Sequence, residues 1–116
     1  MKIQHYSEIQ STKFGAPGVK GTTGRVAIGK ADGADNFCMR VFELEKNGYS
    51  PRHTHDWEHE IFIHHGNGEV YQEGRWIPVV AGSTIFIPGN EEHQLRNAGD
   101  QNFVFVCVIP AGAPEL

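Results

Sequence analysis

His53-Thr54-His55-Asp56-Trp57-Glu58-His59-Glu60-Ile61-Phe62-Ile63-His64-His65-Gly66-Asn67-Gly68 carries five of the seven histidines in a chain of 116 residues. His53, His55 and His59 share odd parity. Residues two apart on an extended strand face the same side, so His53 and His55 point together. Asp56-Trp57-Glu58 is short enough for a tight connection, after which His59 opens a returning strand on the same face. From there Ile61 and Ile63 continue inward, while Glu60, Phe62 and His64 point away. Three imidazoles thus meet at the mouth of a β-structure. His93, in Pro88-Gly89-Asn90-Glu91-Glu92-His93, brings a fourth from a later strand. Neutral imidazole suits Zn, Cu, Fe and Ni, and each ring is oriented through its second N–H.

Outward from this stretch the chain reads as β. Strands are predicted at 25–29, 37–44, 60–64, 69–72, 76–80, 84–87, 93–96 and 103–109. Turn signals separate them at Asn47-Gly48, Gly66-Asn67-Gly68 (read as a hairpin turn), Glu73-Gly74, Ala81-Gly82, Pro88-Gly89-Asn90 and Gly99-Asp100. Evenly spaced short strands with Gly-rich turns predict an antiparallel sandwich or barrel. One domain fits this length. Residues 11–24 are rich in Gly, Pro, Thr and Ser and alternate weakly. We therefore divide the chain into an N-terminal arm, 1–24, and a barrel domain, 25–116. The arm is either loose or an extended strand exchanged with a partner subunit, with Phe14 and Val19 as apolar anchors. Strand exchange, and the need of open edges for cover, predict a homodimer.

Composition narrows the function classes. Hydrophobic content of 39% and charge of 21% are those of an ordinary globular protein. A net charge of −4 without a basic patch argues against nucleic-acid and membrane-surface partners. The longest apolar run, 103–110, is too short to span a bilayer. Met1 to Glu8 lacks the apolar run of a signal peptide, so a cytoplasmic location is expected. Cys38 and Cys107 form no disulfide framework and read as free buried thiols.

Gly48-x4-His53-x-His55-x3-His59-x6-Gly66 resembles the first cupin motif, in which a glycine turn precedes His-x-His, an acidic ligand and a glycine. Gly82-x5-Pro88-x4-His93-x3-Asn97 resembles the second, with its proline turn, histidine and closing asparagine. Two departures stand out. His59 replaces the usual glutamate, with Glu58 and Glu60 on either side, and Asn90 replaces a glycine. Asn tolerates left-handed backbone. The stretch is similar to a subgroup of small single-domain cupins with four histidine ligands. That resemblance implies an all-β double-stranded β-helix, the jelly-roll barrel. It implies one divalent transition metal on His53, His55, His59 and His93, manganese or iron, with zinc, nickel or copper able to occupy the site as purified. It further implies a dimer and oxygenase-type activity on a small organic substrate.

Structural zinc usually recruits thiolates, and neither cysteine is near the cluster in sequence, which favours a reactive site. Four neutral imidazoles would leave the ion its full charge, so the site should attract an anionic or enolisable ligand. Two alternatives to the oxygenase are a non-redox isomerase or lyase using the ion as Lewis acid, and a non-enzymatic small-ligand-binding module. Parity places Glu58 and Glu60 off the His59 face, as outer or surface carboxylates. No catalytic residue is assigned. Pocket candidates are Arg40, Trp57, Phe105 and Cys107. Arg40 lies in an apolar strand, either at an exposed edge or lining the cavity to pair with a substrate carboxylate. Trp57 is expected to pack the mouth. If the odd face of 103–109 lines the cavity, Phe105 and Cys107 lie near the metal, as the resemblance suggests. Imidazoles bind metal only when deprotonated, so at an ordinary pKa of about 6.5 affinity should fall between about pH 7 and 5.

Overall fold

The computed structural model describes residues 1–116. Its strands are β1 (Thr12–Lys13), β2 (Lys20–Ile28), β3 (Phe37–Tyr49), β4 (His59–His65), β5 (Asn67–Gln72), β6 (Arg75–Val80), β7 (Thr84–Ile87), β8 (Gln94–Asn97) and β9 (Phe103–Pro110). Two 3-10 turns, Tyr6–Glu8 and Lys30–Asp32, are its only helical pieces. No helix is long and apolar enough to cross a membrane. All pairings are antiparallel, in the order β6-β5-β8-β3-β9-β4-β7, with β2 on the other edge of β3 and β1 on β2. The sheet curls into two halves, β6-β5-β8 and β9-β4-β7; apart from the β5–β6 hairpin, each connection from β4 to β9 crosses between them, the all-β jelly-roll arrangement.

Strand β3 joins the two halves. Phe37 to Leu44 pair with β9, and Tyr49 pairs with Arg96 of β8. Between them the β2 register jumps from Thr22↔Leu44 to Lys20↔Tyr49, and Asn47 takes φ 66°. Asn47-Gly48 is therefore a bulge inside one strand, not a turn between two. A Cβ on Gly48 would stand 2.8 Å from Glu45 O and 2.9 Å from Lys20 O, so only glycine lets β3 close on β2 here.

Parity in β4 holds. His59, Ile61 and Ile63 are buried, while Glu60, Phe62 and His64 are exposed. Ile61 and Ile63 join Leu44, Leu95, Phe103, Phe105, Cys107 and Ile109 in the main core. Each such aliphatic or aromatic side chain contributes roughly 1.5–3 kcal/mol on burial, which is what orients β4. The cysteines are free and buried.

Gly66-Asn67-Gly68 is not a hairpin turn. β4 pairs with β7 and β9, whereas β5 pairs with β6 and β8. The segment carries the chain from one half of the barrel to the other. Gly66 has φ 86°, and a Cβ there would strike the Asn102 carbonyl. A Cβ on Gly68 would overlap the Phe103 ring. Close approach, rather than hairpin geometry, requires both glycines.

The 24/25 boundary drawn from composition falls inside β2. Thr12 and Lys13 pair with Gly24 and Thr23 of the same chain, and Phe14 N–H donates to Thr22 O (3.0 Å). Phe14 and Val19 line this chain's own interior cavity.

Candidate metal centre

Four imidazoles converge, their ligand nitrogens all within 4.8 Å of one another: His53, His55, His59 and His93. The expected strand through His53 and His55 does not form; between β3 and β4 only His53 is bridged. Two other devices align the rings. His53 N–H donates to His93 O (3.2 Å) and His93 N–H to His53 O (3.1 Å), a one-residue bridge that sets these two side by side. The Pro88-Gly89-Asn90 turn packs on the loop holding His55. Asn90 N–H donates to His55 O (2.6 Å), Asn90 takes φ 68°, and a Cβ on Gly89 would lie 2.5 Å from Asp56 O.

Ring orientation is fixed from behind. His55 Nδ1–H donates to Trp57 O (2.9 Å), and its ring stacks on the Trp57 indole with centroids 4.0 Å apart and planes 5° from parallel. His93 Nδ1–H donates to Glu91 O (2.9 Å). Each therefore turns an unprotonated Nε2 toward the centre. His59, from β4, sets Nδ1 3.1 Å from Cys107 Sγ and Nε2 2.8 Å from His55 Nε2. His93 Nε2 is buried with no hydrogen-bond partner. A buried, orphaned ring nitrogen among three others is the donor set a divalent transition ion satisfies, so these residues fit the metal that the resemblance implies.

Burial holds the cluster neutral. It pushes His59 down to about 3, with help from the Arg40 guanidinium and the other imidazoles. It lowers His53 to about 4, His93 and His55 adding to the effect; His53 is exposed as a residue, but its ring lines the cavity. Burial also lowers His55 and His93. Burial raises the Cys107 thiol against the pull of Arg40, and raises Cys38 to about 11 with Glu115 adding. Glu60 is raised by partial burial and then by Glu58, and both residues are exposed.

Beside the imidazoles lies a cavity of about 150 Å³. Phe14, Val19, Phe42, Phe105 and Leu116 form its apolar wall, and none of its fourteen lining residues is acidic. The Phe14, Phe42 and Phe105 rings follow one another at centroid spacings of 6.3 and 5.5 Å. Of the pocket candidates, Phe105 and Cys107 line the cavity. Trp57 backs His55. Arg40 is neither at an exposed edge nor on the cavity wall. It is 7% exposed and sits behind Cys107, with Nη2 3.0 Å from Cys107 Sγ and 3.3 Å from His59 Nδ1, Nη1 donating to Glu115 O (3.4 Å), and the guanidinium 4.9 Å from the Phe42 ring centre. Sequence reading missed Phe42, although it shares parity with Arg40 in β3. It also missed Leu116, which stands in a segment without alternation.

Comparison with known proteins agrees with this arrangement. The cupin domain family profile matches residues 40–109. The structure of the polyketide cyclase RemF from Streptomyces resistomycificus superposes with a TM-score of 0.90 at 37% identity, covering 98% of this chain and 82% of that one. Glucose-6-phosphate isomerase of Pyrococcus horikoshii is 39% identical over 41 residues, which are 35% of this chain and 22% of that enzyme. The oxalate-binding protein of Thermotoga maritima is 34% identical over 58 residues, 49% of this chain and 48% of that protein. The chain thus spans about a fifth to a half of the length of these two curated relatives.

Proposed function

The chain belongs to the cupin family, and from that premise we propose that it is a metal-dependent cyclase of enolisable polycarbonyl compounds with an apolar body. One observation carries this reading: an aromatic-walled cavity without an acidic side chain ends on His53, His59 and His93, three of the four clustered imidazoles. The 37% identical cyclase, similar over 98% of the chain, supports ring closure in particular. When bound, a divalent ion supplies Lewis-acid polarisation of a carbonyl oxygen.

The residues of the chain have separate tasks. His53, His55, His59 and His93 hold the ion without neutralising it. Arg40 adds a fixed positive charge behind them, so the cavity floor favours the anionic, enolate form of a ligand. Phe14, Phe42 and Phe105 accept a flat, conjugated chain against their faces and keep water from it. Glu58 and Glu60 stand outside the barrel and do not reach the cavity. In the closure an α-carbon bonds to a carbonyl carbon. One α-proton passes to the carbonyl oxygen, which becomes a hydroxyl; a second proton from the same α-carbon then leaves with that hydroxyl as water, and the C=C bond forms. No oxidant is needed.

The manganese or iron oxygenase is the second reading, supported by the same four neutral donors, which accept Fe or Mn as well as Zn, with lower intrinsic affinity. One experiment separates the two. Protein loaded with zinc, manganese or iron is incubated without oxygen with an aryl poly-β-ketone thioester analogue. Ring closure gives a product that has lost water and gained no oxygen in every loaded form. Turnover that requires oxygen supports the oxygenase. Binding without turnover in any form leaves a ligand-binding cupin. For assembly the reading is a homodimer, because Phe62 and Phe86 are 48% and 62% exposed on the outer faces of β4 and β7.

A further inference from the structure

Three of the four imidazoles have a partner behind Nδ1, and one of the three differs in kind. His55 and His93 donate to main-chain carbonyls, Trp57 O and Glu91 O, each at 2.9 Å. Behind His59 there is no carbonyl and no carboxylate. Its Nδ1 faces Cys107 Sγ at 3.1 Å, and the same sulfur receives Arg40 Nη2–H at 3.0 Å. Both side chains are buried, Cys107 at 2% and Arg40 at 7% exposure, so no water substitutes for them. The β3–β9 register sets Arg40 opposite Cys107, and the β4–β9 register sets Ile61 opposite Cys107, which brings the sulfur beside His59.

We propose that Cys107, held in place by Arg40, is the positioning residue of the metal ligand His59: its sulfur accepts the Nδ1–H and so turns Nε2 toward the ion. The geometry leaves His59 two arrangements. In one, Nδ1–H points at sulfur and Nε2 is free to bind metal. In the other, Nδ1 accepts from Arg40 and Nε2–H donates to His55 Nε2 at 2.8 Å, which occupies two ligand nitrogens with one proton. The sulfur favours the first, because His59 Nδ1 lies closer to it (3.1 Å) than to Arg40 Nη2 (3.3 Å), and Arg40 Nη2 in turn lies closer to the sulfur (3.0 Å) than to Nδ1. A hydrogen-bond acceptor behind a histidine ligand contributes about 10–100-fold in metal affinity. Cys107 thus does for His59 what a carbonyl does for His55 and His93, although it also forms part of the cavity wall.

The inference rests on the reading of the four histidines as metal ligands, and the test separates the two. Cobalt(II) affinity is measured for the wild type, Cys107→Ser and Cys107→Val, and exchange of the ring N–H protons is followed by NMR in the zinc-loaded wild type. Cys107→Ser keeps an acceptor and should bind cobalt within about threefold of wild type, whereas Cys107→Val should lose about tenfold or more. In the zinc-loaded wild type the His59 Nδ1–H should exchange slowly, like those of His55 and His93, and unlike that of His53, whose Nδ1 has no partner. Equal affinity in Cys107→Val overturns the inference. So does fast exchange at His59, which needs no variant to fold. A wild type that binds neither ion overturns the metal reading itself, and the inference with it.

Discussion

Acidification of the metal-free protein should destabilise it through His59. The folded-state pKa of this imidazole is pushed down to about 3, mainly by burial. In the unfolded chain it returns to about 6.5. Above that value both states hold His59 neutral, and its contribution is constant. As pH falls toward about 3, the unfolded chain takes up a proton that the folded chain refuses. Stability is then lost at about 1.4 kcal/mol per pH unit. His59 is 6% exposed, so solvent screening discounts little of this. Between pH 6.5 and 4.5 the loss amounts to about 2–3 kcal/mol. His59→Gln removes the titration while keeping a polar side chain of similar reach. The assay is urea unfolding of both proteins in chelator at several values between pH 7 and 4.5. The stability of wild type minus that of His59→Gln should fall by about 2 kcal/mol or more as pH drops. A difference constant to within about 0.5 kcal/mol would refute the claim that burial holds this ring neutral. For the same reason metal affinity should persist below the window expected from ordinary imidazoles. The fall should be displaced to lower pH, because all four rings are held below the ordinary imidazole value.

Alanine at His53, His55, His59 or His93 should each abolish most metal content after dialysis, while His64→Ala should retain it. Full metal content in His59→Ala, measured by elemental analysis, would transfer the role to another group. Gly68→Ala should cost about 1–3 kcal/mol by overpacking against Phe103, which is fully buried and has nowhere to move. An unchanged thermal midpoint would show that the crossing is not tight. Sedimentation of the double variant Phe62→Glu with Phe86→Glu should give a monomer where the wild type gives a dimer; identical coefficients would place the interface elsewhere.

Where burial acts through a simple period, the residues announce the fold. The alternation from His59 to His64 fixed which side of β4 faces the core, and the hydrophobic run 103–109 marked β9. The clustering of the four histidines was legible too, but for a partly mistaken reason. His53 and His55 converge through the His53–His93 bridge and the Asn90 contact, not through strand parity. Tertiary crossings left no local trace. A glycine that turns a hairpin and a glycine that lets two strands pass have the same identity, so Gly66 and Gly68 were misread. Arg40 was read as an edge residue or a cavity-wall residue because nothing in its own strand shows that Cys107 and the Glu115 carbonyl wait to receive it. The cavity walls of Phe14, Val19 and Leu116 come from segments with no period to read.

The stacking of Trp57 on His55 gives the molecule a built-in optical gauge. Only two tryptophans are present, and Trp76 is covered instead by Arg96, 3.7 Å from its ring centre. An indole lying flat on an imidazole changes its emission whenever that imidazole gains charge or a cation, because the excited ring donates an electron to an acceptor in contact with it. Filling or emptying the centre should therefore be visible as a change in intrinsic fluorescence at Trp57, silent at Trp76, with no label added.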